Sequence, residues 1–196
     1  MRDGQATRRR MLDAATVEFA ERGIAGARVD RIAASATTNK AQMYSYFGSK
    51  DGLFDAVFAE HLSAILDAVP LTANDLPGYA VRLYDAHRKH PEFVRLAGWA
   101  RLERVQHGPL IPDPKGHAEK LTAIRHAQDA GIVDPDMDAA DVLSFVVALA
   151  MTWSPLSVVV AASPEETGAV HAGRRRSLDR IVRRSFATPP QETLKT

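Results

Sequence analysis

Cysteine is absent from the 196 residues. The chain therefore has no disulfide framework, no thiolate metal site and no cysteine nucleophile. Alternation of apolar and polar residues, the mark of a half-buried strand, is nearly missing, which argues against a β-rich fold. Also missing are Gly-x-Ser-x-Gly, the phosphate-binding Gly-x4-Gly-Lys and His-Glu-x-x-His, so the chain reads as no enzyme and implies no cofactor. His87 and His90 stand three residues apart and could share a metal. No acidic residue joins them at helical spacing and Pro91 interrupts the helix, so both read as surface histidines and no metal site is expected. The N-terminus is charged and lacks an apolar run, so no signal peptide is expected and the expected location is the cytoplasm.

One stretch, Val142 to Pro164, has no charge at all. It is long enough to cross a bilayer, which takes about 20 residues. However, Ser154-Pro155 breaks it, and proline tends to end a helix. Its flanks are acidic on both sides, without a close positive anchor. We read it as a doubly buried helix plus a second short piece, and expect no membrane partner; a membrane or partner-binding helix is the rival reading.

What is present is an ordinary globular balance, 45% hydrophobic and 25% charged residues. The net charge of +1 is unevenly spread: residues 1–50 carry +4, residues 51–173 carry −8 and residues 174–196 carry +5. A basic head on an acidic middle suggests that the head meets a polyanion while the body is repelled from it.

Helical spacing dominates, so the fold class is all-α. Thr7 to Arg22 places Met11, Leu12, Ala15 and Phe19 on one stripe, and Gly23 stops it. Val29, Ile32, Ala33 and Ala36 mark a short second helix. After a turn at Thr37-Thr38, Asn39 can cap a third helix running to Phe47, with Gln42 at capping-box spacing. Ser49 can cap a fourth helix running toward Val69. Further helices are expected over Leu76–Lys89, Pro91–Gln106, His117–Ala130, Asp138–Trp153 and Glu165–Phe186. A loop is expected over 108–116 and a frayed tail over 188–196.

Three short helices within about 50 residues, the last two joined by a tight turn, match a helix-turn-helix. Met43 and Phe47 would anchor the third helix, leaving Ala41, Gln42, Tyr44 and Ser45 exposed. Gln42 can bond adenine and Ser45 can serve either sense, while a small Ala41 lets the backbone approach a groove floor. Lys40 can reach a base or a phosphate, and Tyr44 and Tyr46 offer hydroxyls to phosphates. Lys50, at the start of the fourth helix, adds charge where free N–H groups already favour an anion.

The segment Ala27–Phe54 resembles the DNA-binding domain of the TetR family of bacterial transcriptional regulators. The resemblance rests on Ile32-Ala33, on Tyr44-x-Tyr46-Phe47 and on Gly48-Ser49-Lys50-Asp51-x-Leu53-Phe54, with Ala14-Ala15, Phe19 and Gly23 before them. It covers roughly residues 7–60. It implies a DNA-binding head over 1–50 and a helical ligand-binding and dimerisation domain over 51–187. It also implies that contacts to double-stranded DNA fall on Thr38, Asn39, Lys40, Gln42, Tyr44, Ser45, Tyr46 and Lys50. Arg28 stands where the family often caps the second helix with Thr or Ser, and could touch a phosphate instead. Thr37 and Thr38 stand where Gly and an apolar residue are common.

The resemblance further implies a repressor released by a small-molecule effector. Candidate pocket residues are Phe93, Trp99, Arg104, His126 and Trp153. A two-fold dimer would read a palindromic operator through half-sites about 34 Å apart. The helix Asp138–Trp153 is apolar on nearly all sides, which implies burial on all sides. Pairing this helix and the last one with their copies would supply that burial, with Leu143, Val146, Val147, Ala150 and Met151 as the expected homodimer interface; a central core helix within one subunit is the alternative. Read alone, the arginines of the last helix invite nucleic-acid binding; the resemblance implies that this helix lies far from the operator DNA, so they read as a solvated face pairing with the acidic middle.

Overall fold

Amphipathic spacing becomes helix wherever a cap or a proline marks its start. The structure is a computed structural model and describes residues 2–110 and 113–188. Apart from Thr188, the tail expected over 188–196 lies outside the described residues. Nine α-helices are present among the described residues, with one isolated antiparallel bridge between Val133 and Ala187. They are α1 (Arg2–Gly26), α2 (Val29–Ser35), α3 (Lys40–Phe47), α4 (Lys50–Ala68), α5 (Leu76–Lys89), α6 (Pro91–Glu103), α7 (Pro114–Asp129), α8 (Ala139–Ala150) and α9 (Gly168–Phe186). No single described helix is long and apolar enough to cross a membrane.

The chain forms two compact units. One holds α1 to α4 and α6; the other holds α5 and α7 to α9. A division at residue 50 does not describe the packing, because α4 buries Leu53, Phe54 and Val57 in the same core as Met11, Phe19, Ile32 and Met43. Phe54 meets Phe19 edge-on with centroids 5.2 Å apart. α6 completes this core with Leu96 and Ala100.

Gly23 breaks α1, as its position after the apolar stripe suggests, with a φ of +73° that favours glycine. A Cβ there would meet the Glu103 carboxylate at 2.5 Å and the Trp99 ring at 3.0 Å. Trp99 donates to the Ala20 carbonyl at 3.3 Å, and Glu103 accepts from the Ala25 N–H at 2.7 Å. Several boundaries differ from expectation; α6 ends at Glu103 instead of Gln106 and α8 at Ala150 instead of Trp153. α1 begins at Arg2 instead of Thr7. α7 begins at Pro114 within the expected loop, because Asp113 caps it by accepting from Gly116 N–H at 2.9 Å and proline suits the first turn. α9 begins at Gly168 instead of Glu165.

The second unit packs α5 between α8 and α9, with α7 on α8. Tyr79, Ala80, Leu83 and Tyr84 of α5 meet Val142, Val146, Leu178 and Val182 in its core. His87 is not a surface histidine: it lies on the inner face of α5 and is 6% exposed. Burial pushes its pKa below the usual histidine value, partly opposed by a hydrogen bond with the Ala150 backbone. Within one chain α8 is buried on one side. Val142, Leu143, Val146 and Ala150 turn inward, while Ser144, Phe145 and Ala148 are exposed. After α8 the chain forms turns instead of a second helical piece, and Val158 to Val160 stand in solvent.

α2 has seven residues and no side-chain cap of its own; its N-cap residue, Arg28, supplies none. The buried carboxylate of Glu18 on α1 takes that place. Its Oε1 accepts from the Arg28 N–H at 2.9 Å and from Arg31 Nε at 2.8 Å, and it pairs further with Arg31 Nη2. Burial pushes the Glu18 pKa up, but the bonds from Arg31 and Arg28 and the charges of Arg31 and Arg22 outweigh it and leave it below the usual carboxylate value. Because the carboxyl titrates lower in the folded head than in the unfolded chain, its contribution is full above the unfolded value. It is lost as pH falls through the folded one. Glu18→Gln is expected to lower head stability by about 2 kcal/mol near neutral pH, the scale of hydrogen bonds to a charged group. The gap to the wild type should close on acidification below about pH 4, where a normal carboxylate begins to protonate. Urea melts over a pH series check this, and a gap independent of pH would assign the loss to packing instead.

Candidate nucleic-acid interface

The turn between α2 and α3 is a Schellman closure. The Thr37 N–H donates to the Ala34 carbonyl at 3.2 Å and the Thr38 N–H to the Ala33 carbonyl at 2.9 Å. Such closures put a left-handed residue just past the helix end, and here it is Thr37, with a φ of +53°. Thr37 is the one non-glycine residue with positive φ among those described. A β-branched residue fits that conformation poorly.

Asn39 then caps α3, its side chain accepting from the Gln42 N–H at 2.8 Å. Gln42 does not complete the reciprocal half of a capping box. Its Oε1 instead accepts from the Thr38 hydroxyl at 2.6 Å, which fixes the amide. Met43 is 1% exposed and fastens α3 to the core. On the opposite arc Ala41, Gln42, Tyr44 and Ser45 are exposed, as the wheel predicts. Gly48 ends α3, and the Ser49 hydroxyl caps α4 by accepting from the Gly52 N–H at 2.9 Å.

The other expected contact residues have work inside the fold. The Lys50 ammonium donates to the Ala25 and Ala27 carbonyls, both at 3.3 Å, and so closes the turn between α1 and α2. Lys40 pairs with Asp30 at 3.2 Å. Tyr46 donates its hydroxyl to the Gly4 carbonyl at 3.3 Å, tying α3 to the start of α1. Arg28 is exposed and caps nothing. Glu18, Arg31 and Glu103 position the reader yet carry no signal in the sequence, because each acts on a helix other than its own.

The five candidate pocket residues divide between the two units. Phe93, Trp99 and Arg104 belong to the first unit. Phe93 stacks on Phe58 at 6.0 Å, and Arg104 pairs with Asp51 and Asp55 beneath the Phe54 ring. His126 is exposed on α7. Only Trp153 joins a polar cluster in the second unit. There it meets Tyr84 edge-on at 5.7 Å and lies under the Arg174 guanidinium, and Tyr84 is hydrogen-bonded to His171 Nδ1 at 2.7 Å. Leu143, Val146 and Ala150 lie in that unit's own core at 9%, 0% and 1% exposure, so they cannot face a partner. Val147 and Met151 are half-buried. Two arginines of α9 do pair with the acidic middle, Arg174 with Glu166 and Arg175 with Asp85.

Residues 11–57 match the sequence profile described as bacterial regulatory proteins, tetR family, and residues 75–184 match the tetracyclin repressor-like C-terminal domain. The chain is 39% identical over 155 residues to the HTH-type transcriptional repressor SCO4008 of Streptomyces coelicolor, covering 78% of this chain and 80% of that one. It is 32% identical over 108 residues to the HTH-type transcriptional repressor NicS of Pseudomonas putida, covering 52% and 51%. Its fold is similar to the crystal structure of the transcriptional regulator candidate SCO4942 of Streptomyces coelicolor. The TM-score is 0.78 at 38% identity, covering 93% of this chain and 99% of that one.

Thr37→Gly is expected to raise the stability of the head by about 0.5–1 kcal/mol, the relief of a left-handed residue less the entropy of glycine. Denaturation midpoints check this, and an unchanged or lower midpoint would show that Thr37 sits without strain.

Proposed function

The chain belongs to the TetR family of bacterial regulatory proteins and is a DNA-binding transcriptional regulator, and from that premise we propose a repressor that binds a palindromic operator as a homodimer and is released by a small-molecule effector. The observation that carries the reading is the outer arc of α3. Its anchor Met43 is buried, while Gln42, Tyr44 and Ser45 project from the opposite side with no place in the core. Gln42 and Ser45 read base edges; Tyr44 offers its hydroxyl to a phosphate, which positions the head without reading sequence. The Thr38 bond leaves one lone pair of Gln42 Oε1 and both Nε2 hydrogens for a base, which suits adenine.

The homodimer forms through the face that each second unit leaves uncovered. Phe145 of α8 is 52% exposed, and Val170 and Ile181 of α9 are 42% and 46% exposed. Val158 to Val160, in the segment between these helices, extend the apolar surface. Large apolar side chains left to water on two helices and the segment between them are what a second copy would cover. The effector site lies in the second unit, where Tyr84, His87, Trp153 and His171 bring polar groups into an apolar core, the composition ligand sites share. The effector acts only through its different affinities for the DNA-competent and released states.

Selection of bound duplexes from a random pool should return a palindrome. Gln42→Ala should relax the preference at one position per half-site by about 1–3 kcal/mol. Tyr44→Ala should weaken binding to every sequence alike. A selected site without two-fold symmetry, or an unchanged profile for Gln42→Ala, would refute this reading of the arc.

Phe145→Asp and Ile181→Asp are each expected to give folded monomers in sedimentation, with operator affinity reduced. Dimers persisting in both variants would reject the interface.

A further inference from the structure

α9 has a second exposed side. Arg176, Arg180 and Arg184 stand four residues apart, about 6 Å of helix rise per step. They lie roughly a quarter turn round the helix from the Val170–Ile181 edge, at about 100° per residue. With Arg175, Arg183 and Val81 of α5 they line an open cleft of about 560 Å³.

Two of these guanidinium groups are already engaged, Arg175 on Asp85 and Arg183 on Asp179, both at close distance. Arg176, Arg180 and Arg184 have no acidic side chain of the described residues within ion-pair distance, and all three are exposed. The cations of α9 are all arginine, with no lysine. Arginine's planar fork grips phosphate or carboxylate through two parallel hydrogen bonds, whereas a merely solubilising charge needs no such geometry.

We propose that this stripe binds the phosphate backbone of duplex DNA without regard to sequence, as a contact surface separate from the α3 reader. The composition of the cleft selects this occupant. A protein partner needs a buried aromatic or aliphatic anchor, and Val81 is the only apolar residue in the lining. An enclosed small-molecule site is mostly apolar, and this cleft is open and lined by five arginines and one aspartate beside Val81. A phosphate polymer needs only charges at repeated spacing, and DNA phosphates surround any protein that works on an operator. Each protomer of a dimer presents one stripe, so a dimer held at its operator can hold a second duplex segment.

The test uses the full-length chain and a random-sequence duplex. In the head variant Gln42→Ala/Tyr44→Ala, where the stripe carries the binding, adding Arg176→Gln/Arg180→Gln/Arg184→Gln should remove about 2.7 per protomer from the slope of log affinity against log salt, three phosphates at about 0.9 each. With the head intact, the triple variant should keep its preference for an operator recovered by selection over random sequence. The head variant Gln42→Ala/Tyr44→Ala should still bind random duplex, and should lose that binding when combined with the triple substitution. Protein bound to immobilised operator should capture a second, labelled duplex, and the triple variant should not. An unchanged salt slope with an intact circular dichroism melt would overturn the proposal. Binding of polyglutamate or of inorganic polyphosphate without binding of random duplex would also overturn it, in favour of a protein or a small polyanion. Absence of any operator preference while the slope difference persists would count against the reading of α3 and leave this surface standing.

Discussion

A seven-residue helix without a cap is not stable alone, and α2 is such a helix. Its N-terminus is held by a carboxylate from another helix. Glu18 reaches from α1 to the Arg28 N–H and the Arg31 guanidinium, and this junction fixes where α2 lies. Everything downstream follows from that position. The Schellman turn leaves α2 at Ala36, Thr38 and Asn39 then set the first turn of α3, and Met43 locks its inner side. A buried carboxylate that lost these partners would be an uncompensated charge, the costly case among buried ion pairs. Glu18 thus acts on the reading arc at a distance, without reaching it.

The helices themselves were legible wherever a local cap or a periodic stripe declares them. Met11, Leu12, Ala15 and Phe19 are buried as their spacing predicts, and Asn39 and Ser49 cap the helices they precede. What spacing could not give is the choice between two burial sites for the same apolar residue. α8 is apolar nearly all round, and periodicity cannot tell whether Val146 faces its own core or a partner; the packing of α5 and α9 decides it. The same ambiguity holds for the pocket candidates. Phe93, Trp99 and Arg104 are bulky or polar members of apolar helices, but α6 packs with the head, where they fasten α4 and α1. His87 was misread because an exposed reading attends to the proline after His90 and not to the side of α5 on which each ring falls.

The second unit divides its surface by chemistry. Around α9, Leu178 and Val182 face the core, Val170 and Ile181 are exposed on one edge, and the arginine stripe lies about a quarter turn away. An apolar edge and a cationic stripe on one helix keep two demands apart. Burial of the edge against a second copy requires no desolvation of unpaired guanidinium groups, which would be costly without matched partners. Acidic residues of the middle hold Arg174 and Arg175, and leave Arg176, Arg180 and Arg184 without an acidic partner among the described residues.

In the head, residues 1–50 carry +4, but much of that charge is bound within the fold. Arg31 is tied to Glu18, Lys40 to Asp30, Arg9 to Asp13 and Glu60, and Lys50 to two carbonyls. A phosphate approaching these groups must share or break an existing bond, so each yields less affinity than a free cation. Non-specific affinity grows with the number of phosphates neutralised, whereas discrimination comes from base edges. Arg8, Arg10 and Arg28 of the head have no acidic partner among the described residues and keep charge for phosphates, while the fixed Gln42 serves discrimination. On α9, which carries no base-reading residue, Arg176, Arg180 and Arg184 are likewise without an acidic partner among the described residues, so salt-dependent attraction is not confined to the helix that reads sequence.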